Sequence, residues 1–409
     1  MGKMGSQWWK GSIVLLVLAA VTVTLSLSSG DSKVAQAAAP VFKDISGHWA
    51  KESIEAAVKA GILNGYPDQT YKPQNPITRA ELLKVIALTT KVEAAAAPAG
   101  KPWYTGYQMA LTDAKIYAAG DFTGDLSKEV TRVEMAKLAI RGANAEYRGT
   151  KLTADELMFR AVNAGLLSRT GAKAETIDPD GTTTRAQAAV IVTRLLKLAG
   201  GGKLTVDQGA STAAEVKWHR HNMITMFGQD DLVKFPYRVN IDKTYDVIID
   251  QLLVLDPSDK DGYYAEYLDD AKLYLDNEKS APGKGYVFAY KLIGKNLIVD
   301  PTIKVGVSSS FYMFNSGASG GVTLKREYYY SDRSMKERPG LFINQSVLTF
   351  DKKDNSGHNF YFSHVSKDFI KSQIKEYGGV PIHLERYGSQ LNNKTQFYLT
   401  EVKDKWAAK

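Results

Sequence analysis

Ile77-Thr78-Arg79-Ala80-Glu81, Val130-Thr131-Arg132-Val133-Glu134 and Thr183-Thr184-Arg185-Ala186-Gln187 are three copies of one phrase, and each reads as the start of a helix. Thr followed three residues later by Glu or Gln is the capping-box pattern, in which the hydroxyl accepts a backbone N–H and the longer side chain bonds back. An apolar stripe follows, for instance Val192, Leu195, Leu196 and Ala199 at the spacing of one buried helical face. The arginine sits at the first helical position, where the helix dipole disfavours a cation by a few tenths of a kcal/mol. Three such placements predict an anion site made of guanidinium and helix-end N–H groups. The alternative is an arginine lying along the surface or paired with a nearby acid.

Outward from these phrases the chain repeats itself. Before the first, a helix is expected through Ile54, Ala57 and Val58, ending at Gly61, followed by a Gly- and Pro-rich connection from Ile62 to Pro73. The second unit aligns from Trp103 as the first does from Trp49. The third aligns by Ala164-Gly165-Leu166 and Ile177-Asp178-Pro179. Units of this length must pack on one another to bury a common core. The boundaries read as 41–91, 101–144 and 153–200, with Ala94 to Gly100 a flexible linker.

Phe42-x-Asp44, Gly47-His48-Trp49-Ala50, Gly61-Ile62-x-x-Gly65-Tyr66 and Ile77-Thr78-Arg79-Ala80-Glu81, repeated behind a leader, resemble the S-layer homology (SLH) domains of bacterial cell-surface proteins. The resemblance covers about 41–200. It implies an all-α, pseudo-threefold bundle of three repeats whose grooves bind an anionic, pyruvylated secondary cell wall polysaccharide on peptidoglycan. The residues it assigns to polymer binding are Asp44, Trp49, Gly65, Arg79, Trp103, Arg132 and Arg185. The later repeats depart from the pattern, with Lys115 in place of Gly61, Thr153 in place of Trp49 and Gln187 in place of Glu81. Unequal grooves are therefore expected, the one built from Asp44, Trp49, Gly65 and Arg79 being the most family-like. His48 reads as a hydrogen-bonding residue at the helix start.

The rest of the chain bounds these readings. Residues 1–37 carry Lys3 and Lys10, an apolar run from Ile13 to Leu27, and Ala35-Gln36-Ala37, the layout of a secretory signal peptide cleaved after Ala37. The run falls short of the roughly 20 residues of a membrane span, so no stable membrane insertion is expected after cleavage. With no cysteine, disulfides and thiol chemistry are excluded. A net charge of +8 over 409 residues favours an acidic polymer or is equally a solvated basic surface, and export makes nucleic acid an unsuitable partner.

Past Gly200-Gly201-Gly202, a linker is expected over 201–214 and a mainly-β domain, a β-sandwich, over 215–409. Strands are expected at Val247–Ile249 with Leu252–Leu255, Tyr286–Ile293, Ile303–Val307, Leu341–Ile343 with Val347–Phe350, and Gln396–Leu399, with a helix around Tyr263 to Leu275. His219, His221, His358, His364 and His383 lack metal-motif spacing, Asp256 to Gly262 fails the EF-hand register, and no nucleophile elbow occurs. No metal, cofactor or catalytic residue is assigned. A secreted wall-binding protein is the first reading; a wall-anchored carbohydrate-active enzyme or other hydrolase and an S-layer lattice component are the alternatives.

Overall fold

The capping boxes form at all three phrases: Thr78, Thr131 and Thr184 each accept from the backbone N–H three residues on, and Glu81, Glu134 and Gln187 each return a side-chain bond. This computed structural model describes residues 42–171, 176–240, 245–256, 258–259, 274–275, 285–296, 310–313, 319–320, 322–323, 326–331, 334–339, 356–387 and 394–400. The leader and the strands expected at Ile303–Val307, Leu341–Ile343 and Val347–Phe350 lie outside the described residues.

The helical part contains α1 (Lys51–Lys59), α2 (Arg79–Thr89), α3 (Thr105–Asp113), α4 (Arg132–Ala143), α5 (Ala154–Asn163) and α6 (Arg185–Ala199). The capped helices α2, α4 and α6 touch one another, while α3 packs on α2, α5 on α4 and α1 on α6. Each repeat thus lends its first helix to the second helix of a different repeat. A ring of three backbone hydrogen bonds closes the arrangement: Ile77 N–H to Thr183 O at 3.0 Å, Thr183 N–H to Val130 O at 2.9 Å, and Val130 N–H to Ile77 O at 3.0 Å. One apolar cluster runs from Phe42 through Leu82, Leu138 and Phe159 to Val192.

Gly61 and Gly165 end their first helices at φ 70° and 74°, and Lys115 takes the same left-handed conformation at φ 57°. For a residue with a Cβ this costs about 1 kcal/mol. Ala94 to Gly100, read as a flexible linker, has no helix or strand and is largely exposed, with one close approach in which the Ala95 carbonyl lies where a Cβ on Gly106 of α3 would stand, 1.9 Å from its oxygen.

The expected linker over 201–214 is corrected. Residues Gln208–His219 form helix α7, capped by Asp207 and packed on α5, with Ala210, Ala213 and Ala214 in the first cluster. The next helix, α8 (Met223–Phe227), puts Met223 into a second cluster with Ile249, Leu252, Phe288, Val365 and Ile370. The chain therefore changes cores at residues 219–223. Small residues explain the misreading: Gly209, Ala210, Ser211, Ala213 and Ala214 pack closely without writing a strong apolar period.

In the second part, β1 (Tyr237–Asn240) and β2 (Tyr245–Leu255) join strands Gly285–Asn296, Ser356–Ser366 and Ser319–Gly320 in a five-stranded antiparallel sheet. A bulge falls at Asp250 of β2, between Ile249 and Gln251. Helix α9 (Lys367–Tyr377), unmarked in the sequence reading, packs on this sheet through Ile370. Of the helix expected around Tyr263 to Leu275, Tyr274–Leu275 is instead a strand and the remainder lies outside the described residues. Among the described residues no helix is long and apolar enough to cross a membrane.

Candidate functional site

The three arginines point away from their own repeats. Arg79 donates from Nε to both oxygens of Glu134 at 3.1 and 3.0 Å and from Nη1 to Asp125 O at 3.1 Å, and its Nη2 forms an ion pair with Glu134 Oε1 at 2.9 Å. Arg132 donates to Ile177 O at 2.9 Å and Ser168 O at 2.7 Å. Arg185 donates to Tyr71 O at 2.9 Å and Asn64 O at 2.6 Å, with Tyr66 and Tyr71 rings 5.0 and 4.6 Å from its guanidinium carbon. Each thus holds another repeat's loop, cyclically, and each is buried to 6–8% exposure.

Helix-end N–H groups do not form the expected anion site. Arg79 and Ala80 N–H donate to Lys128 and Leu126 carbonyls, Arg132 and Val133 to Gly181 and Pro179, and Arg185 and Ala186 to Asn75 and Pro73. The capping threonine takes the next donor, at Glu81, Glu134 or Gln187. The helix termini are satisfied internally because each abuts the loop of another repeat.

The groove expected from Asp44, Trp49, Gly65 and Arg79 is also regrouped. Arg79 lies with the second repeat, and Arg185 of the third repeat reaches the loop around Gly65. Asp44 accepts from Tyr71 and Lys72 N–H, both at 2.8 Å, and pins that loop. Burial would raise the Asp44 pKa, but these N–H bonds outweigh it and hold it below the usual carboxylate value. Gly65 lets the Phe42 ring approach: a Cβ there would stand 2.0 Å from Phe42 Cε1. His48 Nδ1 accepts Ala50 N–H at 3.1 Å, its expected helix-start role. Trp49 and Trp103 are 67% and 53% exposed, conspicuous for indoles in water.

A groove of about 520 Å³ draws on all three repeats, with Trp49 from the first, Arg132 from the second, and Ser168, Thr183, Gln187 and Arg194 among its residues from the third. Two cations meet here. Burial lowers the Arg132 pKa, Asp178 opposes that, and the positive charge of Arg194 lowers it further. Burial lowers the Arg194 pKa too, against the pull of Asp207. Among the described residues, carbonyls rather than carboxylates receive the hydrogen bonds of both guanidiniums. The buried Thr183 Oγ1 has no hydrogen-bond partner among the described residues.

Arg169 also lines the groove, but Asp207 meets it with bonds of 2.7 and 2.9 Å. Burial would raise the Asp207 pKa; the Arg169 side-chain and backbone donors and Ala210 N–H outweigh it and bring it to about 2. The pocket can therefore take an anionic ligand between Arg132 and Arg194, with Trp49 as an apolar wall. Sequence reading missed Arg194, Thr183 and the positive sense of Gln187, a neutral amide where Glu134 stands in the second repeat. Arg194 lies nine residues beyond Arg185 on the same capped helix, the local signal that was available.

Residues 41–83 match the S-layer homology domain family. The chain is 51% identical over 45 residues to a cellulosome-anchoring protein of Acetivibrio thermocellus, covering 11% of this chain and 10% of that protein. It is 29% identical over 191 residues to an S-layer protein of Bacillus licheniformis, covering 42% and 21%. It is 32% identical over 152 residues to the outer membrane protein SlpA of Deinococcus radiodurans, covering 34% and 13%. The chain thus spans only about a tenth to a fifth of the length of these relatives. The domain match and the surface-protein relatives mark a secreted, cell-wall-associated protein.

Proposed function

We propose that the helical part holds the protein non-covalently on the bacterial cell wall by binding an anionic, pyruvylated secondary cell wall polysaccharide, and displays the mainly-β part, read as a β-sandwich, outward. The observation that carries this reading is the groove lined together by Arg132, Arg194 and the exposed Trp49, with the two cations close enough to destabilise each other's charge. A carboxylate between them would relieve their repulsion and accept charge-assisted hydrogen bonds. The indole would cover a sugar face. The S-layer homology match at 41–83 and a relative named for anchoring support the same conclusion.

In this reading the three repeats occupy 41–91, 101–144 and 153–200. Arg132 and Trp49 do the principal binding, and Arg185 beside Tyr66 and the exposed Trp103 offer secondary contacts. Arg79, Asp44 and Gly65 serve by shaping loops. Binding is an equilibrium with no covalent step. The test is co-sedimentation of residues 38–409 with purified sacculi before and after removal of the pyruvylated polymer. Retention lost with the polymer is the expected result; equal retention on stripped walls would refute the reading.

A further inference from the structure

Where the chain passes from its first core to its second, three potential metal ligands converge. Glu215, fully buried on α7, lies with Oε1 3.1 Å from His219 Nε2 and 3.2 Å from His221 Nδ1, and the three donor atoms all fall within 4.8 Å of one another. A tetrahedral ion bound at 2.0–2.1 Å requires donor atoms separated by about 3.3 Å. We propose that Glu215, His219 and His221 bind a divalent transition-metal ion of the zinc class. Two imidazoles and one carboxylate suit zinc, cobalt or nickel and are too nitrogen-rich for calcium or magnesium.

Local structure builds the set. Glu215 and His219 share one face of α7 at i, i+4. Arg220 then takes the left-handed conformation, φ 66°, and turns His221 back over the same carboxylate. Ile224 and Thr225 N–H donate to the two Glu215 oxygens at 2.8 and 2.7 Å, which orients them as an outer shell orients a ligand. The imidazoles are stacked, centroids 3.7 Å apart and planes at 21°, and His221 Nδ1 accepts Met223 N–H at 3.3 Å, so binding requires the rings to turn out of the stack and this hydrogen bond to be given up. His219 keeps partial exposure, which gives the ion a path and leaves a fourth position for water.

His221 bridges to Leu252 of β2, and Leu252 N–H donates to Arg220 O at 3.1 Å. The ion would therefore tie the helical part to the sheet and stabilise their junction, independently of wall binding. The test uses tag-free residues 38–409, treated with chelator and titrated with Co²⁺ by visible absorption, then with Zn²⁺ as competitor. One equivalent of Co²⁺ displaced by Zn²⁺ is expected, with a raised Tm. His219→Gln, at a partly exposed position, should fold normally and lose this uptake. Glu215→Gln keeps an acceptor for Ile224 and Thr225 and should weaken uptake at least tenfold. No stoichiometric uptake by the folded protein, or undiminished uptake by both variants, would overturn the proposal.

Discussion

The junction held by Arg79 and the junction held by Arg132 begin from the same phrase and end as electrostatic opposites. At the first, Glu134 caps its own helix and takes Arg79 with the same carboxylate, so the cation is neutralised inside the protein. At the second, the corresponding capping residue is Gln187, which bonds its own Thr184 N–H and leaves Arg132 to carbonyls. At the third junction Glu81 stays in its own capping box while Arg185 bonds carbonyls, so a capping carboxylate neutralises the arginine only at the first junction, where Arg79 reaches it. A motif residue thus shows its role only once the residue facing it from another repeat is known.

Breaking the closed joint should have the largest effect. Arg79→Ala leaves Glu134 buried without its cation, and a loss of about 3–5 kcal/mol of folding stability is expected from denaturant titration. Wall affinity of the fraction that folds should be unchanged. Arg132→Ala should cost less stability, about 1.5–3 kcal/mol for its charged hydrogen bonds. It should also weaken sedimentation with sacculi roughly tenfold to a hundredfold, the converse of Arg79→Ala. Equal effects of the two substitutions on wall binding would erase the distinction between the joints.

Acid sharpens the comparison further. The Asp207 pKa is lowered in the folded protein to about 2 from the ordinary 3.8. Its pairing with Arg169 therefore stabilises fully above about pH 4 and is lost as pH falls towards 2. Melting temperatures of the parent and Asp207→Asn should differ at neutral pH and converge across that window. A difference undiminished at pH 2 would contradict the assignment.

The sequence carried what is local and hid what is not. Capping boxes obey an i, i+3 rule, so Thr78, Thr131 and Thr184 could be read directly, and Gly61 declared its helix end. The arginines' partners lie far along the chain, from Arg79 to Glu134 and from Arg185 back to Asn64. No spacing rule reports such pairs. Gln187 read as a departure that would weaken a groove, because its meaning depends on Arg132 and Arg194 across the pocket. The convergence of Glu215, His219 and His221 was hidden for a similar reason: a left-handed turn at Arg220 makes it, and arginine does not advertise positive φ.

The most direct measurement is equilibrium binding of residues 38–409 and their Gln187→Glu variant to the same sacculi. The substitution restores the carboxylate that the other two copies carry, preserves the capping box, and places a negative charge in the groove beside Arg132. Thermal stability no lower than the parent's, with affinity reduced by about 1 kcal/mol, roughly fivefold, is expected at effective dielectrics between those of water and a protein surface. Undiminished binding by the variant would contradict the Arg132 groove as the site of wall attachment.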